Sequence, residues 1–238
     1  MRLVHKLLFL AIFLTLANYT QGQEISKHNI LSTIGTAAKW NSVNNNLFTS
    51  SNPTALFKEH SFLIDKSTGR SRFEGKTNTN QNIVLLFNYK SKTVDKSYSN
   101  GKLVENKTTV PQQEIIDLLF EDTKLLFLPM LIISSSSNNI TVHTGKIVNT
   151  EKLVELRFKN IYNLNKQPLN GSIYLNSKGE IKEYHLEQQI FQVSESKDIG
   201  DGIFLSTLFS SKNSDHRNIK FNTVAAFTDI ENDKLTTF

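Results

Sequence analysis

The sequence predicts a mainly β domain of the α+β type: one strongly curved antiparallel sheet of about ten or eleven short strands, with helices packed in its concave side. Three observations carry this reading. From residue 47 to 110, and again from 140 to 227, apolar and polar residues tend to alternate with period two, as strands with one buried face do. Turn-forming clusters separate these runs, among them Lys66-Ser67-Thr68-Gly69, Ser99-Asn100-Gly101 and Asn176-Ser177-Lys178-Gly179, and such clusters close hairpins rather than crossovers. Only two stretches have helical spacing. A sheet of this many strands must curl or close, and helices laid into the concavity are the economical way to fill it.

Residues 1–22 read as a cleavable export signal. Arg2, His5 and Lys6 are its basic start, residues 7–17 (LLFLAIFLTLA) its apolar core, and Thr20 and Gly22 the small residues before a cut at Gln23. A retained anchor is disfavoured, because the apolar run is well short of the ~20 residues a bilayer needs. Residues 23–238 are expected to form a single domain. Its first element is a helix over residues 27–44, with Ser26 as N-cap, Ile30, Ile34, Ala37 and Ala38 on the buried side, and Trp40 pinning it to a sheet. The Asn44-Asn45-Asn46 run ends it.

Strands are then expected over residues 56–65, 70–76, 83–89, 93–98 and 102–110. Pro111 stops the last of these. Residues 113–134 (QEIIDLLFEDTKLLFLPMLIIS) follow and are the most apolar stretch after the leader. The first half has helical spacing, with Ile115, Leu118, Leu119 and Leu126 on one side. The second half, residues 125–133, is uninterrupted apolar sequence around Pro129. It is too short to span a membrane, so it is buried in protein, covers a cavity or meets a partner. A helix and loop folded back across the concave face suits its position between two series of hairpins. After a serine-rich loop, residues 134–139, strands resume over 140–147, 152–160, 171–175, 180–190, 203–209 and 218–227. The polar tail, residues 229–238, is expected to fray.

Composition excludes several kinds of function. There is no cysteine, hence no disulfide framework, thiolate metal site, cysteine nucleophile or lipid-modified N-terminal cysteine. The formal charge is +5, and +3 once Arg2 and Lys6 leave with the signal. These charges are interspersed, unlike a nucleic-acid footprint. No two histidines have metal-ligand spacing, and no phosphate loop, dinucleotide fingerprint or nucleophile elbow occurs. Neither a metal nor a cofactor is therefore expected. Adjacent Glu121 and Asp122 point to different sides of a helix and are read as exposed. What remains is apolar surface spread over many strands and the central segment, which serves either as a packed core or as the lining of a greasy pocket.

At the level of pattern the chain resembles the periplasmic outer-membrane lipoprotein carriers, the LolA/LolB-like superfamily, and especially the carrier-like exported proteins of Bacteroidetes. The features are the Gly-Gln export junction, the opening Gly35…Lys39-Trp40 sequence, the Phe62 to Phe73 hairpin, the Phe127-Leu128-Pro129 element after a mid-chain helix, and the Leu175-Asn176…Gly179 turn. The resemblance implies an incomplete β-barrel with helices plugging its open side and an apolar cavity between them. It implies an exported, non-enzymatic periplasmic or secreted binding protein whose partner is a hydrophobic ligand or lipoprotein acyl chain. Cavity or lid candidates are Phe62, Phe73, Phe87, Leu119, Phe120, Leu126, Phe127, Met130, Leu131 and Phe158. The carriers' lid arginine is not matched to Arg70, Arg72 or Arg157, so no lid mechanism is carried over. The alternative is a structural or interaction module of the cell envelope with a fully packed core. An unconventional hydrolase stands third.

Overall fold

The computed structural model describes residues 33–51, 54, 56–105, 110–148, 150–213 and 218–237. The expected signal, the Ser26 cap and residues 27–32 of the first helix lie outside these residues. Among the described residues thirteen strands form one antiparallel sheet. They are β1 (Asn45–Ser50), β2 (Phe57–Asp65), β3 (Arg70–Thr77), β4 (Asn82–Asn88), β5 (Thr93–Ser99), β6 (Lys102–Leu103), β7 (Ile140–Val148), β8 (Glu151–Tyr162), β9 (Pro168–Leu175), β10 (Ile181–Leu186), β11 (Gln189–Asp198), β12 (Phe204–Ser211) and β13 (Asn218–Phe227). The spatial order is β6-β5-β4-β3-β2-β1-β13-β12-β11-β10-β9-β8-β7. Two hairpin ribbons, β1 to β6 and β7 to β13, are thus zipped together by the first strand on the last, with Phe48 opposite Val224. β6 and β7 are the two edges, and the sheet does not close.

Thirteen strands replace the ten or eleven read from sequence for two local reasons. Residues 180–190 are not one strand. Glu187 adopts φ +53° and turns the chain between β10 and β11, so Leu186 pairs with Gln189 and Tyr184 with Phe191. Asn45 and Asn46, expected to end a helix, instead open β1 and pair with Asp65 and Ile64 of β2. In the run 102–110 only Lys102 and Leu103 form a strand, and residues 106–109 lie outside the described set.

Of the described part of the expected first helix, residues 33–44, only 37–42 are helical. α1 is Ala37–Ser42, capped by the Thr36 hydroxyl, which accepts from the Lys39 N–H. Gly35 has φ +132°, a backbone conformation no right-handed helix contains, so residues 33–36 lead into the helix instead of forming it. The central segment is helical throughout. α2 is Gln112–Leu126 and α3 is Leu128–Ser134, joined at Phe127. Pro129 sits in the first turn of α3, where its missing N–H costs nothing. No described helix is long and apolar enough to cross a membrane.

These helices lie on one face of the sheet and show that it curls. Phe127 contacts Phe48 of β1 with ring centroids 5.8 Å apart, and α3 also packs against β8. β1 and β8 are six positions apart in the order. On a flat sheet that is roughly 29 Å, whereas a helix the length of α3 spans about 10 Å. The sheet must therefore bend around the helices. The C-terminal tail does not fray along its described length. A 3₁₀ turn at Asn232–Leu235 buries Leu235 to 5% exposure. Arg72 donates to the Thr237 carbonyl, and Arg70 to the Asn232 side chain.

Candidate functional site

The inner face of the sheet is built by strand alternation. A row of directly paired residues, Val224, Phe48, Phe62, Phe73 and Leu85, crosses β13, β1, β2, β3 and β4. A second row, Leu156, Ile173, Tyr184 and Phe191, crosses β8 to β11. Aromatic rings tie the rows together. Phe48 lies 5.5 Å from Phe62 and 6.0 Å from Phe221, Phe221 lies 6.0 Å from Phe209, and Phe209 lies 5.5 Å from Tyr184. Such contacts each add about 0.5–1.5 kcal/mol beyond simple burial.

Of the ten candidates read from sequence, Phe62, Phe73, Phe87 and Phe158 are on the sheet, Leu119, Phe120 and Leu126 on α2, Phe127 at the helix junction, and Met130 and Leu131 on α3. All are buried except Leu131, which is half-buried. Phe127 brings several elements together: it packs on Trp40 of α1 at 5.0 Å as well as on Phe48. Trp40 itself carries the Lys66 ammonium 3.6 Å over its ring. Burial there lowers the Lys66 pKa to about 8. Phe120 has Lys92 5.6 Å from its ring centre. Grooves of about 450, 500 and 460 Å³ open elsewhere, and none of these three is lined by α2 or α3. The first is walled by Leu47, Leu63 and Arg72 on one side and the C-terminal turn on the other.

One polar contact interrupts the apolar seat of α2. Asp122, read from sequence as exposed, is 7% exposed and places Oδ2 2.7 Å from Nε2 of His60 on β2. Burial pushes the Asp122 carboxyl up, His60 pulls it back only in part, and neighbouring Glu121 adds to the rise. The His60 ring lies beside the Phe62 and Phe73 rings, at 5.7 and 6.2 Å, and its Nδ1 has no protein partner. Asn46 and the Tyr184 hydroxyl are likewise buried without protein partners. Both members of the pair were legible in the sequence. Asp122 falls on the helical stripe Ile115, Leu119, Asp122, Leu126, and His60 shares its strand face with Phe62 and Ile64.

The outer face carries a different kind of cluster. Glu183 is bonded by Lys146 and Lys212, and by His185 at 3.0 Å. Burial alone would raise its pKa, but these three donors outweigh it and hold the carboxyl at about 2. Beside it, Glu155 accepts from the Ser172 hydroxyl at 2.6 Å and from Arg157 at 3.0 Å. No group of three or more His, Asp or Glu suited to a metal occurs among the described residues.

No family model and no curated protein matches this sequence. Among solved structures the chain is similar to a putative outer membrane lipoprotein-sorting protein domain from Vibrio parahaemolyticus. The match has 7% identity and a TM-score of 0.36, over 87% of this chain and 97% of that one. A superposition this loose transfers neither fold family nor role.

Proposed function

We propose that this protein is an exported, non-enzymatic binder of apolar ligands of the acyl-chain class, and that α2 and α3 form a displaceable plug over its binding face. The supporting observation is topological. The chain enters α2 from edge strand β6 and leaves α3 toward edge strand β7. The plug can therefore leave the inner face without breaking one β ladder. The face it would uncover is lined by Phe48, Phe62, Phe73, Phe158 and Phe221, which suits a hydrocarbon chain. Export is supported by the N-terminal sequence pattern.

Trp40 provides the test, because it is the one tryptophan and packs on Phe127. Adding a long-chain fatty acid or a diacylated lipopeptide is expected to shift Trp40 emission to the red as Phe127 moves away. Protein purified without detergent is expected to release acyl lipid into organic extracts, as read by mass spectrometry. Empty protein whose Trp40 emission ignores both ligands up to their solubility limit would remove this reading. The second reading, an envelope module with a permanently packed core, is favoured by the burial of most apolar side chains of the plug in this conformation. It predicts that negative result, together with a stable protein partner.

A further inference from the structure

The buried side of α2 is apolar except at Thr123, whose hydroxyl donates to the Leu119 carbonyl of the same helix, and at Asp122, which reaches across to the sheet. Along the helix Glu114, Asp117 and Glu121 are exposed and Lys124 is half-buried, whereas Asp122 is enclosed with His60. The contact joins the helix to a strand of the sheet, 62 residues away in sequence. We propose that the His60–Asp122 pair is a release element for α2: it fixes where the helix sits while making that seat easier to leave than an apolar one.

The argument is one of solvation. Enclosing a carboxylate and an imidazole removes both from water, and one hydrogen bond restores only part of what is lost. The seat is under-satisfied even with the pair intact, because Nδ1 of His60 has no protein partner and the Phe62 and Phe73 rings beside the imidazole supply no strong acceptor. When α2 departs, water reaches both groups and the desolvation cost disappears. Leucines at the same two positions would do the reverse, since departure would expose them to water. The pair also sets register. A one-residue rotation of α2 would leave the carboxylate facing phenylalanine rings, a far costlier arrangement than the observed one. No ladder hydrogen bond opposes the movement, since the plug joins the sheet only through the edge strands.

This inference rests on reading α2 and α3 as displaceable, but its first readout needs no ligand. Amide hydrogen exchange of the intact protein is followed for α2 and for β2 and β3, with and without sub-denaturing urea. In the native sequence α2 amides are expected to exchange through an opening smaller than global unfolding, with a weaker urea dependence than β2 and β3. In the double variant H60L/D122L they are expected to slow by about tenfold or more relative to the native protein. Fatty-acid-induced change in Trp40 emission should slow in parallel. If native α2 exchanges only by global unfolding, the proposal fails whether or not the double variant folds. It also fails if the folded double variant exchanges α2 as fast as the native protein. Slowed exchange with no fatty-acid response in either protein supports the release element and removes the ligand reading instead.

Discussion

Asp122 and Glu183 are both nearly closed off from water, at 7% and 2% exposure, yet their carboxyls move in opposite directions. Asp122 lies inside the sheet's curve, where it meets one imidazole and an apolar wall, and burial raises its pKa. Glu183 lies on the outer face under two lysines and a histidine, and its pKa falls to about 2. Burial alone does not set the charge of a carboxyl group; the number of donors aimed at it does. The inner face is accordingly a mostly apolar interface whose few polar groups, among them the His60–Asp122 pair, the Asn46 side chain and the Tyr184 hydroxyl, are sparsely bonded. The outer face is a polar layer in which the charged groups named above satisfy one another.

The largest expected effect is on the inner side. Phe127→Ala, by removing a ring that touches both Trp40 and Phe48, should cost about 3–5 kcal/mol in urea unfolding. A cost below about 1 kcal/mol would mean that the plug adds little to global stability. The next largest effect tests the outer side. Glu183→Gln should cost about 1–3 kcal/mol, because Lys146 and Lys212 lose their charged acceptor but can still turn to water.

Acid should separate the two carboxyls. Glu183 has a folded pKa of about 2 against an ordinary 4.5. Its contribution is therefore complete above 4.5 and is lost as pH falls from there toward 2. Asp122, whose folded pKa is raised, contributes with the opposite sign and favours the folded state when protonated. Urea midpoints measured across this range should fall more steeply for the native protein than for Glu183→Gln; identical slopes would break the comparison. A smaller outer-face effect is expected from Arg72→Ala. It should cost about 1 kcal/mol or less and free the C-terminal turn for proteolysis, as mass spectrometry of a limited digest would show. Smallest of all is Tyr184→Phe. The buried hydroxyl has no protein partner, so its loss should leave the melting temperature unchanged or slightly higher.

Much of the fold is legible in the sequence where one residue's preference decides. The Asn100-Gly101 and Asn176-to-Gly179 turns, the strand over 218–227 and the helical stripe from Ile115 to Leu126 follow from local chemistry. The misreadings share a cause. Glu187 has no turn propensity that would announce its left-handed backbone, so β10 and β11 read as one strand. Asn45 and Asn46 read as a helix terminator, yet neighbouring β2 and β13 supply partners that turn them into a strand. Asp122 reads as exposed when residue type is given more weight than position, although the apolar periodicity around it, like that around His60, points it inward.

The sequence by itself determined an antiparallel, mainly β chain with a central apolar helical segment, because alternation, turns and helical spacing are properties of neighbouring residues. Only the tertiary structure decided that the first strand pairs with the last, that the helical pair fills the inside of the curled sheet, and that a histidine and an aspartate 62 residues apart meet beneath it. Those contacts depend on the sheet's curl and on long-range registers. Both are set by the packing of the whole chain and by no local pattern within it.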